Sequence, residues 1–490
     1  MGVLTQLLLI PLLGALLILL TPKQWQSLIR PIAILHALAT LILAWSLIAS
    51  FDTSLTSLQF AEHHVWNSRL GTAYSLGIDG FSFPMVLLAT LLCLIAIMAS
   101  GSINKMMKGY YLLILLLETA MLGVFLAQDW TLFYIFWELT LLPLFFLIDR
   151  WGGKQRHQAS LNFVLYTMGG SAFMLISLLV LFDTLPGHTF NMQAMIESAA
   201  GLDPDVQVLI FLGLLIGFGV KMPIFPLHGW LPLAHVEAPS PISILLSGVL
   251  LKMGSYGLIR AATMLPEAVV SMQNFLAGIA LFSLIYGGLL AWRQSDMKGM
   301  IAYSSVSHMG VVLLGIATLN VTGLTGAVMQ MVAHGLVAGL MFLMIGLLYE
   351  RTHTRDVNHY SSLIRTTPRF AFFTVLAFIA AVGLPGTAGF IAELHALIGG
   401  YERWGWVVVL LTVGVMISAA YAIRTVGRLF TGPIRDEMRD IADLKATEML
   451  AAGVLSLGIV LMGVFPARVL ELFSASVNVL GASFAKFKGL

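Results

Sequence analysis

The 490 residues are 59% hydrophobic and 10% charged, where a soluble domain carries roughly 25% charged residues, so the composition describes a polytopic membrane protein rather than a soluble one. The net charge of +2 says little about partners, and no nucleic acid is expected among them. A single cysteine, Cys93, excludes a Cys-ligated iron–sulfur cluster within the chain and any disulfide framework.

Hydropathy predicts an all-α fold of about fourteen transmembrane helices in one membrane domain, 1–490. The spans fall near 3–20, 31–50, 80–99, 110–127, 130–148, 160–182, 206–220, 242–262, 272–292, 298–317, 323–349, 370–399, 404–429 and 447–465. A short amphipathic tail, 466–490, follows. The N-terminus lacks a basic region before its apolar run, so it reads as a retained span and not as a cleaved signal. The longest connections, 51–79 and 183–205, leave no room for a soluble domain.

Lysine and arginine set the orientation. With the N-terminus outside, eighteen of the 26 basic residues fall in inner loops, Lys298 among them. Six fall outside: Arg69, Arg260, Arg403, Arg468, Lys486 and Lys488. Lys221 and Lys252 lie within spans. Both termini are therefore expected on the outer, periplasmic side of a bacterial inner membrane, with the lipid bilayer around a multi-pass chain.

Two spans carry a break. The first is Lys221-Met-Pro-Ile-Phe-Pro-Leu-His-Gly-Trp-Leu-Pro232, where three prolines end the apolar run from Val206. The second is Gly383-Leu-Pro-Gly-Thr-Ala-Gly389, followed by Phe390-Ile-Ala-Glu393. A helix broken inside a membrane is tolerated where its freed backbone lines a cavity. The breaks fall in spans seven and twelve, five apart. An odd separation predicts two inverted five-helix repeats, 110–262 and 272–429, the pattern of inverted-repeat transporters.

Titratable residues inside spans supply the candidate site. Lys221 stands at the first break, and Lys252 lies near mid-membrane in the next span. Burial lowers a lysine's hold on its proton and a nearby carboxylate restores it, which suits loading and release. For Lys221, snorkelling to an interface is the competing reading. Glu118 and Glu138 flank the turn at Gln128-Asp129 at similar depth. Glu138 is either one half of a structural ion pair or the group that tunes a lysine. His308 and His334 are either packed histidines held by serine or members of a proton relay. His228 and His235 belong to the first broken region and are weaker candidates. Glu393 follows the second break, mirrors Lys221, and is a candidate terminal proton site. No phosphate-binding loop, dinucleotide fingerprint or hydrolase constellation is present.

Six segments together carry a resemblance. They are Phe136-Trp-Glu-Leu-Thr-Leu-Leu-Pro143, the Lys221–Pro232 stretch, Ala234-His-Val-Glu-Ala-Pro239, Leu250-Leu-Lys-Met-Gly-Ser-Tyr-Gly257, Ile301-Ala-Tyr-Ser-Ser-Val-Ser-His-Met-Gly310 and Ala333-His-Gly335. Gly77-Ile-Asp-Gly80 and Tyr349-Glu-Arg-Thr-His353 also fit. Across the whole chain the sequence resembles the chain M type of antiporter-like subunits of respiratory complex I, the counterparts of mitochondrial subunit four. Glu393 fits that type, because the related L and N chains usually carry lysine there. Leu233 and Gly299 depart from the pattern, where relatives carry charged or basic residues.

The resemblance implies a proton path along a central polar axis: Glu138 paired with Lys221, then Lys252, the histidines, and Glu393. It implies a translocase subunit of NADH:quinone oxidoreductase with no cofactor of its own. NADH, FMN, iron–sulfur clusters and quinone would then belong to partner subunits. Those partners would include the L and N type chains and small helical subunits. Equivalent subunits of a membrane-bound hydrogenase or of a multisubunit cation/proton antiporter share the fold and axis. A b-type haem on His308 and His334 is a third reading, which leaves both lysines and both breaks unexplained.

Overall fold

The computed structural model describes residues 2–487. Lys488 and the last residues of the expected tail lie outside them.

The helices follow the hydropathy closely. α1 (Val3–Leu20) and α2 (Ile29–Ser46) lead into a two-stranded antiparallel hairpin, β1 (Gln59–Asn67) and β2 (Thr72–Ile78). α3 (Phe83–Ala99) and α4 (Met107–Leu126) come next, then α5 (Trp130–Leu139) and α6 (Leu141–Trp151). The last two form one apolar run divided at Thr140. Pro143 lacks the N–H that would bond the Leu139 carbonyl, so the helix bends there. α7 (Arg156–Thr184) and the short α8 (Met192–Ala199) precede α9 (Pro204–Lys221).

The first break follows α9, and α10 (Leu231–Glu237) resumes after it. α11 (Ser240–Leu245) and α12 (Leu251–Met264) are joined by a π-helical turn over Leu246–Leu250. The short α13 (Pro266–Ser271) leads to α14 (Gln273–Arg293), α15 (Met297–Ala317) and α16 (Val321–Thr352). A single turn, α17 (Leu363–Thr366), precedes α18 (Pro368–Ala381). The second break separates α18 from α19 (Ala388–Trp404). α20 (Leu410–Phe430), α21 (Ala446–Val464), the single turn α22 (Ala467–Leu470) and the tail helix α23 (Ser474–Phe487) complete the described chain.

Among the described residues thirteen stretches are long and apolar enough to span, one of which joins α19 and α20. Counting α18–α19 as one broken span and α20 as the next gives fourteen.

The two longest connections carry structure of their own. Residues 51–79 hold the hairpin and 183–205 hold α8. Asp129 ties the hairpin to α5. Its Oδ1 accepts from Thr131 and Leu132 as the N-cap, and its Oδ2 accepts from the Ala73 amide at 3.0 Å.

Burial sorts the helices into layers. α11, α12, α15 and α16 are buried on nearly every side, as uniformly apolar helices in the middle of a bundle are. α1, α2, α7, α14, α20 and α21 each leave an apolar face uncovered. Of the polar side chains picked out in the sequence, Lys252, His308 and His334 sit on this central set, and the others lie on helices or breaks around it.

Two charges assigned to loops by the orientation argument are in fact buried. Arg260, near the end of α12, pairs with Asp79 at 2.7 Å and donates to Tyr256 Oη at 2.9 and 3.0 Å. Lys298 is 3% exposed. Asp296 caps α15 through the amides of Lys298 and Gly299, which fixes Lys298 in the first turn, and its Nζ reaches the Ala238 carbonyl at 2.7 Å.

Candidate functional site

At the first break α9 ends on Lys221, which is 1% exposed. Its Nζ donates to Thr140 Oγ1 at 2.9 Å and to the Trp137 carbonyl at 3.3 Å. It also sits 3.9 Å from the centre of the Trp137 ring, a cation–π contact. The division between α5 and α6 therefore meets the end of α9. Trp137 is itself fixed by its indole N–H to Ser171 Oγ at 3.0 Å.

The implied direct pairing of Glu138 with Lys221 needs correction. No ion pair joins them among the described residues. Glu138 Oε1 is buried without a hydrogen-bond partner. The Lys221 ammonium is turned to the Thr140 hydroxyl and the Trp137 carbonyl instead.

α12 nests on the end of α9. A Cβ at Gly254 would come within 2.6 Å of the Met222 amide and the Phe218 carbonyl, so only glycine permits this approach. Two residues earlier, Lys252 is fully buried. Its Nζ donates to the Ser247 carbonyl at 2.6 Å, inside the π turn, and lies 2.7 Å from His334 Nδ1. π turns shift the backbone ladder and are frequent where a helix serves a site.

The row continues across α16 and α15. The rings of His334 and His308 are 5.4 Å apart, centre to centre. His308 Nδ1 lies 3.5 Å from Glu393 Oε1 and 3.3 Å from Gln330 Nε2. His308, Gln330, His334, Gly389 and Glu393 line a cavity of about 10 Å³, room for a single water. The histidines are thus held by one another's neighbours and not by serine. Glu393 folds back on the second break. Gly383 has φ +72, and a Cβ there would come within 2.5 Å of Glu393 Oε2.

The remaining candidates stand off this row. Glu118 is fully buried with neither carboxylate oxygen hydrogen-bonded. His228 is buried against Phe225 and Tyr286, its Nδ1 unpartnered. His235 is fully buried, stacks on Phe342 at 4.8 Å, and has no hydrogen bond on either ring nitrogen. No cluster of three or more His, Cys, Asp or Glu side chains suited to a metal occurs among the described residues.

Sequence reasoning missed two residues. Gln330 lies one helical turn before His334 on α16, a lone amide in an apolar run, and that spacing is the signal. Lys298 follows an Asp296 cap into an apolar helix, which marks it as first-turn and not as loop.

Two contacts in the row, Lys252 with His334 and His308 with Glu393, join groups that can exchange a proton. Lys252 as ammonium donates to a neutral His334 Nδ1, and a protonated Nδ1 can donate back to the amine. His308 Nδ1 accepts from Gln330 when neutral and donates to Glu393 when protonated. Gln330 Oε1 is buried and free of partners, so a turned amide can also accept from the protonated ring.

A membrane-embedded bundle with two broken helices and a buried titratable row defines a polytopic antiporter-like membrane protein. A family profile described as NADH:quinone oxidoreductase/Mrp antiporter, transmembrane, matches residues 127–418. The chain is 37% identical over 457 residues to NADH-quinone oxidoreductase subunit M of Rhodobacter capsulatus, covering 91% of this chain and 89% of that one. It is 40% identical to NAD(P)H-quinone oxidoreductase chain 4 of a Picosynechococcus species, over 93% and 87% of the two chains. A chain of respiratory complex I from Thermus thermophilus, solved with bound NADH, superposes with a TM-score of 0.89 at 31% identity over 99% of both. A chain of the Mrp complex from a Dietzia species has a TM-score of 0.87 at 20% identity, over 100% and 99%, which speaks to the fold alone. The chain belongs to the NADH:quinone oxidoreductase/Mrp antiporter membrane-subunit family.

Proposed function

We propose that the chain is the M-type proton-translocating subunit of a membrane-bound NADH:quinone oxidoreductase. The observation that carries this reading is the row Lys252–His334–His308–Glu393, which ends on a broken helix. Redox chemistry, and with it NADH, FMN, iron–sulfur clusters and quinone, belongs to partner subunits. The similarity to NADH-quinone and NAD(P)H-quinone oxidoreductase chains over nearly the whole length favours that host over an Mrp-type antiporter, whose match is 20% identical. The partners are related antiporter-like chains and small helical subunits. The chain sits in a bacterial inner membrane with both termini outside. Residues 110–262 and 272–429 form its two inverted repeats, each with one broken helix.

Proton movement follows from the chemistry of each member. Lys298 at the inner end and the unpartnered His235 offer uptake toward Lys252. Lys252 passes its proton to His334 Nδ1. The small cavity has room for one water to bridge His334 to His308, and His308 delivers to Glu393 at the second break. Lys221 sets the timing: a change in charge at Glu138 alters how firmly Lys221 holds its proton, and the altered charge repels or admits a proton at Lys252. The Thr140 hydroxyl and Trp137 carbonyl keep Lys221 placed through that change.

Glu138→Gln tests the reading. The amide keeps shape and removes charge, so the complex assembles on a native gel while redox-driven proton uptake into membrane vesicles falls severely. Normal uptake at normal assembly would reduce Glu138 to a structural residue.

A further inference from the structure

We infer that a crevice between α2, α3, α16 and α21 is a binding site for one anionic phospholipid, its phosphate at Arg468 and an acyl chain in the groove beneath. The groove has a volume of about 340 Å³, within the range of small-molecule sites. Apart from Arg468 at one end its lining is apolar: Leu87 and Leu91 on α3, Leu336 on α16, and Leu461 and Phe465 at the end of α21. It forms because α21 carries Gly458 where it faces Leu336. Leu461 and Phe465 remain 46% and 63% exposed, so the groove opens sideways from the bundle, at membrane depth. Water has no hydrogen-bond partner there, and an acyl chain matches the lining.

Two features identify the occupant as a phospholipid. Arg468 follows α21 at the mouth of the groove, at headgroup level. Its contact with Glu471 is 3.6 Å and both side chains are exposed, a pair too weak to neutralise it. Trp45 lines the same end and donates its indole N–H to the Leu87 carbonyl at 3.3 Å; tryptophan at that depth marks the membrane interface. On the orientation proposed above, this is the outer leaflet.

The site touches the back of the proton row. Val332 and Leu336 line the groove, and His334 lies about 200° around α16 from either, at 100° per residue. A seated acyl chain therefore supports the face of α16 opposite the one that holds His334 to Lys252.

The test is photolabelling of the intact complex with phosphatidylglycerol bearing a photoreactive acyl chain, mapped by peptide mass spectrometry. Labelling of α3 and α21 is expected to exceed that of the lipid-facing side of α7 around Leu165. Arg468→Gln should lower it about five-fold, the share one basic residue contributes beside an anionic headgroup. Leu461→Trp, which fills the groove from its exposed side, should lower it similarly, and α7 labelling should not change in either variant. Labelling of α21 no stronger than of α7, or unmoved by both variants, would overturn the proposal. So would a photoreactive group at position 461 that captures a neighbouring subunit in place of lipid.

Discussion

Lys252 is the residue on which the row depends, because its 2.7 Å contact with His334 Nδ1 is the shortest link in it. A lysine can release its proton there; an arginine cannot, since its guanidinium stays protonated. Lys252→Arg therefore preserves the buried charge and removes the exchange. Redox-driven proton uptake should fall by about ten-fold or more, on the scale of a lost proton-transfer group, with assembly on native gels retained. Uptake near the wild-type level would mean that charge alone is needed at this position. His308 is the other decisive residue. One nitrogen faces both a carboxylate and an amide, so its two protonation states each have a partner.

At the scale of elements, both breaks are built from residues that leave the backbone no regular alternative. Gly383 is needed twice over, for its φ of +72 and for the closeness of Glu393. Gly383→Ala should cost about 1–2 kcal/mol from the backbone alone and displace the Glu393 carboxylate. A fall in the melting temperature of the complex together with weaker proton uptake is the expected outcome; an unchanged melting temperature would contradict it. The sequence revealed these breaks because proline and glycine act locally. The same is true of the spans, whose apolar runs are continuous, and of Lys221, Lys252 and Glu393, which are charges where none are tolerated without reason. What it did not reveal depends on distant partners. The π turn before Lys252 has no local signature. The pairing of Lys252 with His334, and of His308 with Gln330, needs α12, α15 and α16 side by side. Lys298 and Arg260 counted as loop charges because their helix ends are apolar on one side only in three dimensions. The Glu138–Lys221 pairing, implied by family resemblance, is not a direct contact, since Lys221 Nζ meets the Thr140 hydroxyl and the Trp137 carbonyl.

For the whole molecule, the arrangement separates a charged central layer from an apolar perimeter. The basic asymmetry, which supports the proposed orientation with both termini outside, survives the burial of Lys298 and Arg260, since one is taken from each side. A reporter tag at either end should be reached by a membrane-impermeant reagent added to intact cells from which the outer membrane has been removed. Labelling only after the inner membrane is broken would reverse the orientation and, with it, the direction of the proposed path. That path has its most exposed point at Glu393, where the row meets a broken helix and a cavity. If Glu393 carries the proton, its ionisation matters and its polarity alone does not suffice. The direct measurement is proton uptake per NADH oxidised in inside-out vesicles, for Glu393→Asp and Glu393→Gln at equal assembly. The account predicts partial uptake with aspartate and much less with glutamine. Glutamine pumping as well as the native chain would contradict it and move the exit elsewhere.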